Sequence, residues 1–218
     1  MKKISLLFIL AIFTTLSYAQ DINTFGKRDT SKAFVLGGYG EPFAGATTLN
    51  GDWGVMIGIK GGMLFNRKFG FGPIAKVNIG LWEFQGNNLN FNDSANLELY
   101  MGSVGLFLEY HFKMEKKIHF SVPVNIMFGG VTINEDLGYM SEEEDMGFGK
   151  ENGSRNEVES AGIFVIEPEL NIDFNVAKFF IPSLKFGYRA VFGSQMVNVV
   201  DSDLSGVYFG VGLKFGKF

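Results

Sequence analysis

Apolar and polar residues alternate one by one along much of this chain. The clearest case is the stretch IFVIEPELNIDF, residues 163–174, in which every second residue from Phe164 onward is apolar. The intervening positions carry Glu167, Glu169 and Asp173. In an extended strand successive side chains point to opposite faces, so strict alternation is typical of a strand with two unlike faces. This segment is therefore predicted to be a β-strand with one apolar and one acidic face.

The same alternation recurs in eight segments separated by turn-forming residues, and no segment has the pattern of a long helix. Asn50-Gly51, between the first two segments, is a strong signal for a two-residue hairpin. The pattern predicts an all-β single domain with antiparallel up-and-down strands. The predicted strands cover residues 33–49, 52–65, 69–84, 97–112, 118–133, a sixth strand around 163–174, 179–193 and 204–218.

Connection lengths also follow an order. After the first hairpin, short turns alternate with longer connections. Outer-membrane barrels show this rhythm, with short periplasmic turns and longer extracellular loops. We therefore expect the start of the first strand and the end of the last strand to lie on the periplasmic side. The tight Asn50-Gly51 turn then lies on the side of the long loops. The short turns are residues 66–68, 113–117 and 175–178, and the longer connections are 85–96, 134–160 and 194–203.

Side-chain size indicates which face of the strands lies inside. The apolar faces are crowded with Phe, Ile, Leu and Tyr, whereas the opposite faces carry Gly, Ser, Asn and a few charges. An eight-stranded barrel is only just wide enough for its interior side chains. Small residues suit such a lumen and bulky apolar residues suit lipid, so we predict an apolar outer surface. A soluble exported β-protein is the alternative, and it would be expected to carry more charge outside.

The N-terminus has the organisation of a secretory signal peptide. Lys2 and Lys3 precede an apolar run over residues 4–13, and Ser17-Tyr18-Ala19 is a small-x-small cleavage site. We predict a signal peptide over residues 1–19, a polar lead over residues 20–32 and a barrel domain over residues 33–218. The protein is expected to be exported to the outer membrane of a Gram-negative cell.

Composition excludes several functions. The chain has no cysteine, which excludes a thiolate metal site and a cysteine nucleophile. Its formal net charge is -4, so the sequence lacks the basic footprint of a nucleic-acid-binding protein and no nucleic acid partner is expected.

With the eight segments, the signal peptide and the aromatic C-terminus GVGLKFGKF, the chain resembles the small eight-stranded outer-membrane β-barrel family, of the OmpA transmembrane-domain type. The resemblance covers residues 33–218. It implies a single antiparallel up-and-down eight-stranded transmembrane β-barrel in contact with outer-membrane lipid. We expect a monomer with no catalytic residues and no cofactor.

Charged residues on the inward parity form the candidate site. Carboxylates in such a group could serve acid–base chemistry or bind a hard cation. We favour a structural network, because an unpaired charge in a lumen is costly. Folding the sixth strand onto the seventh brings Arg189 close to Glu167, and Lys185 close to Glu169 or Asn171. The predicted lumen charge network is Lys76, Glu109, Glu167, Glu169, Asp173, Lys185 and Arg189.

The two histidines, His111 and His119, flank the short turn 113–117 on the inward parity. They could face each other as a metal pair, but we interpret them as polar lumen residues near the periplasmic mouth and expect no metal. Lipid A-modifying barrel enzymes place their catalytic histidine toward the outer surface, so this position argues against that chemistry. No G-x-S-x-G motif occurs either.

The connection over residues 134–160 carries nine acidic and two basic residues, with four consecutive acids at Glu142–Asp145. It could bind Ca²⁺ or a basic partner, or simply be solvated, and it lacks the spacing of an EF-hand loop. We predict an exposed, mobile extracellular loop that contacts an extracellular partner. The predicted function is a non-enzymatic outer-membrane barrel with a structural or surface-loop interaction role. The alternatives are a small-solute pore and a lipid-modifying enzyme.

Overall fold

The computed structural model describes residues 34–49, 51–82, 96–136, 155–196 and 199–218. The predicted signal peptide and polar lead, residues 1–32, lie outside the described residues, as does most of the acidic connection.

Eight antiparallel strands form one closed barrel in chain order, and β1 pairs with β8 to complete the ring. Each strand lies where the alternation predicts it, with ends that differ by a few residues except in β5 and β6. The fold is therefore the predicted up-and-down eight-stranded barrel. The strands are β1 Leu36–Leu49, β2 Asp52–Phe65, β3 Phe69–Trp82, β4 Asn96–Phe112, β5 Ile118–Asp136, β6 Arg155–Phe174, β7 Phe180–Phe192 and β8 Gly206–Lys217.

The β5–β6 pair is longer than the sequence predicts. Asn134–Asp136 and Arg155–Ser160, which the sequence assigns to a loop, are strand residues, and the pairing runs on to Asp136 opposite Arg155. A register shift between Ile133 and Asn134 accompanies the change to polar sequence. Backbone pairing does not depend on apolar side chains, so the strands continue past the apolar region. A membrane-spanning strand needs about 9–11 residues, and β6 has 20, so this hairpin is longer than a span of a bilayer would require.

The two ends of the barrel differ. Three short turns, 66–68, 113–117 and 175–179, lie at the same end as the start of β1 and the end of β8. We call this the short-turn end and the opposite one the long-loop end. At the long-loop end a four-residue helix, α1 (Asp201–Leu204), precedes β8. Within the described ranges, no helix has the length and apolarity to cross a membrane.

The apolar face of the sheet is outside, as predicted. Trp53, Ile57 and Val104 are 59%, 54% and 63% exposed, whereas Lys60 and Lys76 on the opposite parity are buried. A soluble protein rarely exposes a continuous apolar surface of this extent. The outer surface of the barrel is therefore predominantly apolar.

The lumen holds larger side chains than predicted. Phe43 and Tyr208 point inward and are buried. Space for them comes from glycine: a Cβ at Gly58 would lie 2.3 Å from the Phe43 ring, and one at Gly187 2.3 Å from the Tyr208 ring. The glycines of the inner face therefore compensate for bulky neighbours instead of leaving the lumen empty.

Gly105 in β4 provides a test of how closely the strands approach. A Cβ there would lie 2.1 Å from the carbonyl oxygen of Ile126 on β5, whereas a Cβ at Gly102 meets nothing within 4 Å. We expect Gly105→Ala to lower the free energy of unfolding by about 1–3 kcal/mol, because the backbone must shift. Gly102→Ala is the matched control on the same strand and should change it little. Urea unfolding in lipid vesicles measures both, and equal losses would contradict this account.

Candidate functional site

Among the residues that the structure describes, ten charged side chains are buried in the lumen, and none of them is more than 7% exposed. They comprise five acids and five bases, so the formal charges of these ten side chains cancel. All seven predicted residues are among them. The full set is Glu41, Lys60, Lys76, Glu109, Glu167, Glu169, Asp173, Lys185, Arg189 and Lys214.

Sequence reasoning left out three members, Glu41, Lys60 and Lys214. Lys60 and Lys214 share the parity of other inward residues on their strands, so strict use of the alternation would have found them. Glu41 was obscured because it lies in the glycine-rich segment GGYGEPFAG, where neither face has a regular pattern. Its position opposite Lys60 on β2 follows only from the β1–β2 register.

The middle of the lumen is joined by shared ion pairs. Lys60 Nζ lies 3.3 Å from Glu41 Oε2 and 3.2 Å from Glu109 Oε2. Lys185 Nζ lies 2.7 Å from Glu41 Oε1 and 2.9 Å from Glu169 Oε1, so the predicted contact between Lys185 and Glu169 is present. Each lysine thus bridges two carboxylates, and five of the eight strands are tied together at this level.

Toward the short-turn end, Lys214 takes the bridging position. Its Nζ lies 2.7 Å from Glu109 Oε1 and 3.0 Å from Asp173 Oδ1. The Tyr39 hydroxyl donates to Glu109, and the Ser121 hydroxyl donates to Asp173 over 2.7 Å. These contacts connect β8 to β4 and β6, which are not its neighbours in the sheet.

Arg189 and Glu167, which the sequence places close together, do not form a direct ion pair with each other in the described part of the chain. Glu167 instead accepts from Lys76 Nζ, at 2.8 and 3.0 Å to its two oxygens. Lys76 belongs to β3 and Glu167 to β6, so this pair crosses the lumen. The prediction considered neighbouring strands only, whereas in a narrow closed barrel a residue on the far wall is equally within reach of a lysine.

Arg189 extends toward the long-loop end and binds backbone and neutral groups. It donates to the carbonyl oxygens of Thr48 and Leu204, each at 2.7 Å, to Thr47 Oγ1 at 2.8 Å and to Asn78 Oδ1 at 3.3 Å. The guanidinium thereby ties the end of β1 to the C-terminus of α1. Its role is to fasten the connection that precedes β8.

His111 and His119 lie in the lumen at the short-turn end, with ring centroids 6.0 Å apart. Their positions are those that the alternation predicts. His119 Nε2 lies 3.4 Å from Asp173 Oδ2, and His111 Nδ1 lies 3.7 Å from the same oxygen. Both imidazoles are therefore grouped around one carboxylate.

The lumen network thus has three levels: Arg189 at the long-loop end, the shared lysine–carboxylate pairs in the middle, and the histidines with Asp173 at the short-turn end. The carboxylates at the middle level are held by lysines and enclosed by other side chains, which leaves little room for a substrate beside them.

A cavity of about 230 Å³ lies on the outer face of the sheet, where Val77, Val104 and Phe128 line it.

No protein-family model matches the chain, and no curated protein matches its sequence. Among solved structures, Neisserial surface protein A is similar at 13% identity and a TM-score of 0.52, over 86% of this chain and 100% of that one. A major outer membrane protein from Thermus thermophilus matches at 8% identity and 0.49, over 82% and 99%. The N-terminal β-barrel domain of Pseudomonas aeruginosa OprF matches at 10% identity and 0.46, over 83% and 96%.

The cross-lumen pair of Lys76 and Glu167 can be tested by a double-mutant cycle. Lys76→Met or Glu167→Gln alone leaves one buried partner without its counterpart, and each should cost roughly 3–5 kcal/mol of unfolding free energy. The double variant should recover much of that loss, because no charge of the pair remains uncompensated. Urea unfolding of the reconstituted barrel measures the coupling.

As a control, Lys76→Met is combined with Glu115→Gln in the exposed turn, and these two effects should add. Additive losses for Lys76→Met and Glu167→Gln would show that the two side chains do not interact.

Proposed function

We propose that this chain, which has the fold of the small eight-stranded outer-membrane β-barrels, is a non-enzymatic outer-membrane protein with a sealed lumen, and that it acts through its surface connections. Residues 1–19 would direct export, and the exposed apolar belt would contact outer-membrane lipid. The short-turn end would face the periplasm, as the lengths of the connections indicate. Because the sheet closes on itself and leaves no free edge within the barrel, a monomer satisfies the backbone pairing.

The observation that carries this proposal is the charge-balanced network in the lumen. A solute passing through would have to separate pairs such as Lys185–Glu41 and Lys214–Glu109, both at 2.7 Å and buried. Removing one partner of a buried ion pair costs about 3–5 kcal/mol. Since several such pairs lie at successive depths, the network favours a structural scaffold over the alternative of a small-solute pore.

The same arrangement argues against a lipid-modifying enzyme. A general acid or base must reach the group on which it acts, whereas Glu167, Glu169 and Asp173 are enclosed and engaged with lysines. The histidines lie at the short-turn end, away from the outer surface that such an enzyme would use. Both observations support a structural role for the three acids of β6.

The projecting β5–β6 hairpin is the part of the barrel best suited to interaction. Its described strands reach Asp136 and Arg155, and the intervening residues 137–154 include the run Glu142–Asp145. Loops held by a rigid scaffold carry function more often than the scaffold does. A run of four carboxylates would attract a basic surface on an extracellular partner, or Ca²⁺.

Conductance in planar bilayers tests the sealed lumen. The wild-type barrel should show no steady conductance, because the paired side chains fill the cross-section. A variant in which the pairs Glu109–Lys214, Glu41–Lys185 and Lys76–Glu167 are all replaced by serine keeps the charges balanced while shortening side chains at successive depths, and it should conduct as long as it still migrates faster before boiling than after. Phe128→Ala on the lipid face is the control and should stay silent. A steady current through the wild type would favour the pore instead.

Proteolysis of intact cells tests the surface role of the hairpin. Protease added outside should cut within residues 137–154 and leave a barrel that still migrates faster before boiling than after. The predicted cleavage range is narrower than the connection 134–160, because both ends of that connection are strand. Complete protection without a bound partner would contradict surface exposure.

A charge-neutral variant tests what the hairpin attracts. Glu142→Gln, Glu143→Gln, Glu144→Gln and Asp145→Asn together should weaken retention of cells on a polylysine surface at low salt. Glu115→Gln at the opposite end of the barrel is the matched control and should leave retention unchanged. Equal retention of the neutralised variant would show that these acids do not provide the interaction.

A further inference from the structure

We propose that His111, His119 and Asp173 form a binding site for one divalent transition-metal ion at the short-turn end of the lumen. This inference does not depend on the proposed function, since a scaffold and a pore could each hold such an ion. It departs from the expectation, based on sequence, that the histidines are only polar lumen residues.

Three adjacent strands place the ligands. His119 on β5 lies directly opposite Asp173 on β6. His111 on β4 lies opposite Ser121, two residues beyond His119 on β5, and its Nδ1 reaches to 3.7 Å from the same carboxylate. The pleat directs all three side chains inward, because each has the parity of the buried face. Their positions are fixed by strands and not by a loop, which favours a preformed site.

The histidine nitrogens are buried without hydrogen-bond partners. The side chains of His111, His119 and Asp173 are fully buried, and both ring nitrogens of each histidine lack a hydrogen-bond partner among the described residues. A buried polar group left unsatisfied costs about 1–3 kcal/mol. Two imidazoles in this state beside one carboxylate are therefore explained by a ligand that uses their lone pairs.

The distances fit a tetrahedral ion. One ligand atom from each residue lies within 4.8 Å of the other two. A zinc ion bound at about 2.0–2.2 Å separates tetrahedral ligands by about 3.3–3.6 Å. The separations of 3.4 Å for His119 Nε2 to Asp173 Oδ2 and 3.7 Å for His111 Nδ1 to the same oxygen are close to that range. Binding would require the two imidazoles to move closer together and Asp173 Oδ2, which accepts from Ser121 Oγ at 2.7 Å and from Lys214 Nζ at 3.0 Å, to turn a lone pair to the ion.

Glu109 occupies the position of a supporting carboxylate. Its Oε1 lies 3.6 Å from His111 Nε2, on the opposite side of the ring from Asp173. The second ring N–H of a metal-binding histidine commonly donates a hydrogen bond to such a carboxylate, which orients the ring. Imidazole with carboxylate suits Zn²⁺, Cu²⁺ or Ni²⁺, whereas Ca²⁺ and Mg²⁺ prefer oxygen ligands alone.

Lys214 opposes the metal and provides an independent test. Its ammonium lies 3.0 Å from Asp173 and 2.7 Å from Glu109, so it competes for both carboxylates. A bound ion would therefore interact with Asp173 and Glu109 while Lys214 interacts with the same two carboxylates. Replacing Lys214 by Gln removes this competing charge, so metal affinity should increase.

The test uses full-length protein extracted from membranes without a polyhistidine tag, treated with chelator and titrated with Zn²⁺. Calorimetry and elemental analysis of the wild type should show one Zn²⁺ ion bound per chain, and this binding should require the histidines. His119→Gln and His111→Gln should each lose it or bind at least tenfold more weakly, and Lys214→Gln should bind more tightly. Glu115→Gln, in the turn between the histidines, is the matched control and should bind like the wild type. Faster migration before boiling verifies that each variant is folded.

Zinc binding that persists unchanged in both folded histidine variants would overturn the proposal, since it would then belong to the acid-rich residues 137–154. Absence of binding to the wild type would also overturn it. If the histidine variants do not fold, the visible spectrum of Co²⁺ added to the wild type decides. Bands of tetrahedral coordination support the site, and the spectrum of the free aqueous ion excludes it.

Discussion

The neutrality of the lumen is the constraint on which the rest of this structure depends. With bulky apolar residues on its outer face, the barrel places the charged residues along the middle of its strands inside, in a space that side chains fill. An ion that leaves water for such an interior loses several kcal/mol unless a partner of opposite charge compensates. The five acids and five bases of the described lumen meet this condition. Lys60 and Lys185 each contact more than one carboxylate, which spreads the compensation over several strands.

This pairing links the walls of the barrel in a way that the sheet does not. Backbone hydrogen bonds join each strand only to its two neighbours. Contacts such as Lys76 with Glu167, or Lys214 with Glu109, join β3 to β6 and β8 to β4 across the lumen. They depend on closure of the ring, because these strands are far apart in an open sheet. The network therefore couples closure to side-chain order, while the glycines opposite Phe43 and Tyr208 leave room for it.

The ion pairs that fill the lumen bear on what the barrel can do. An interior occupied by mutually compensating charges is the basis of the proposed sealed lumen, and the strands around it are longer than a membrane span would require. The β5–β6 hairpin extends by backbone pairing through polar sequence. At the opposite end, all four ring nitrogens of the two histidines lack hydrogen-bond partners among the described residues, and this is a place where the network is incomplete.

The sequence by itself determined the number of strands, their approximate limits and the face that each turns outward, because alternation with a period of two is a local property of the chain. It also identified seven of the ten buried charges of the described residues and the inward position of both histidines. Only the tertiary structure decided which charges pair. Lys76 binds Glu167, and Arg189 binds carbonyl oxygens near α1, since closure brings opposite walls within reach and the register sets the height of each side chain. No local pattern encodes the distance across a ring.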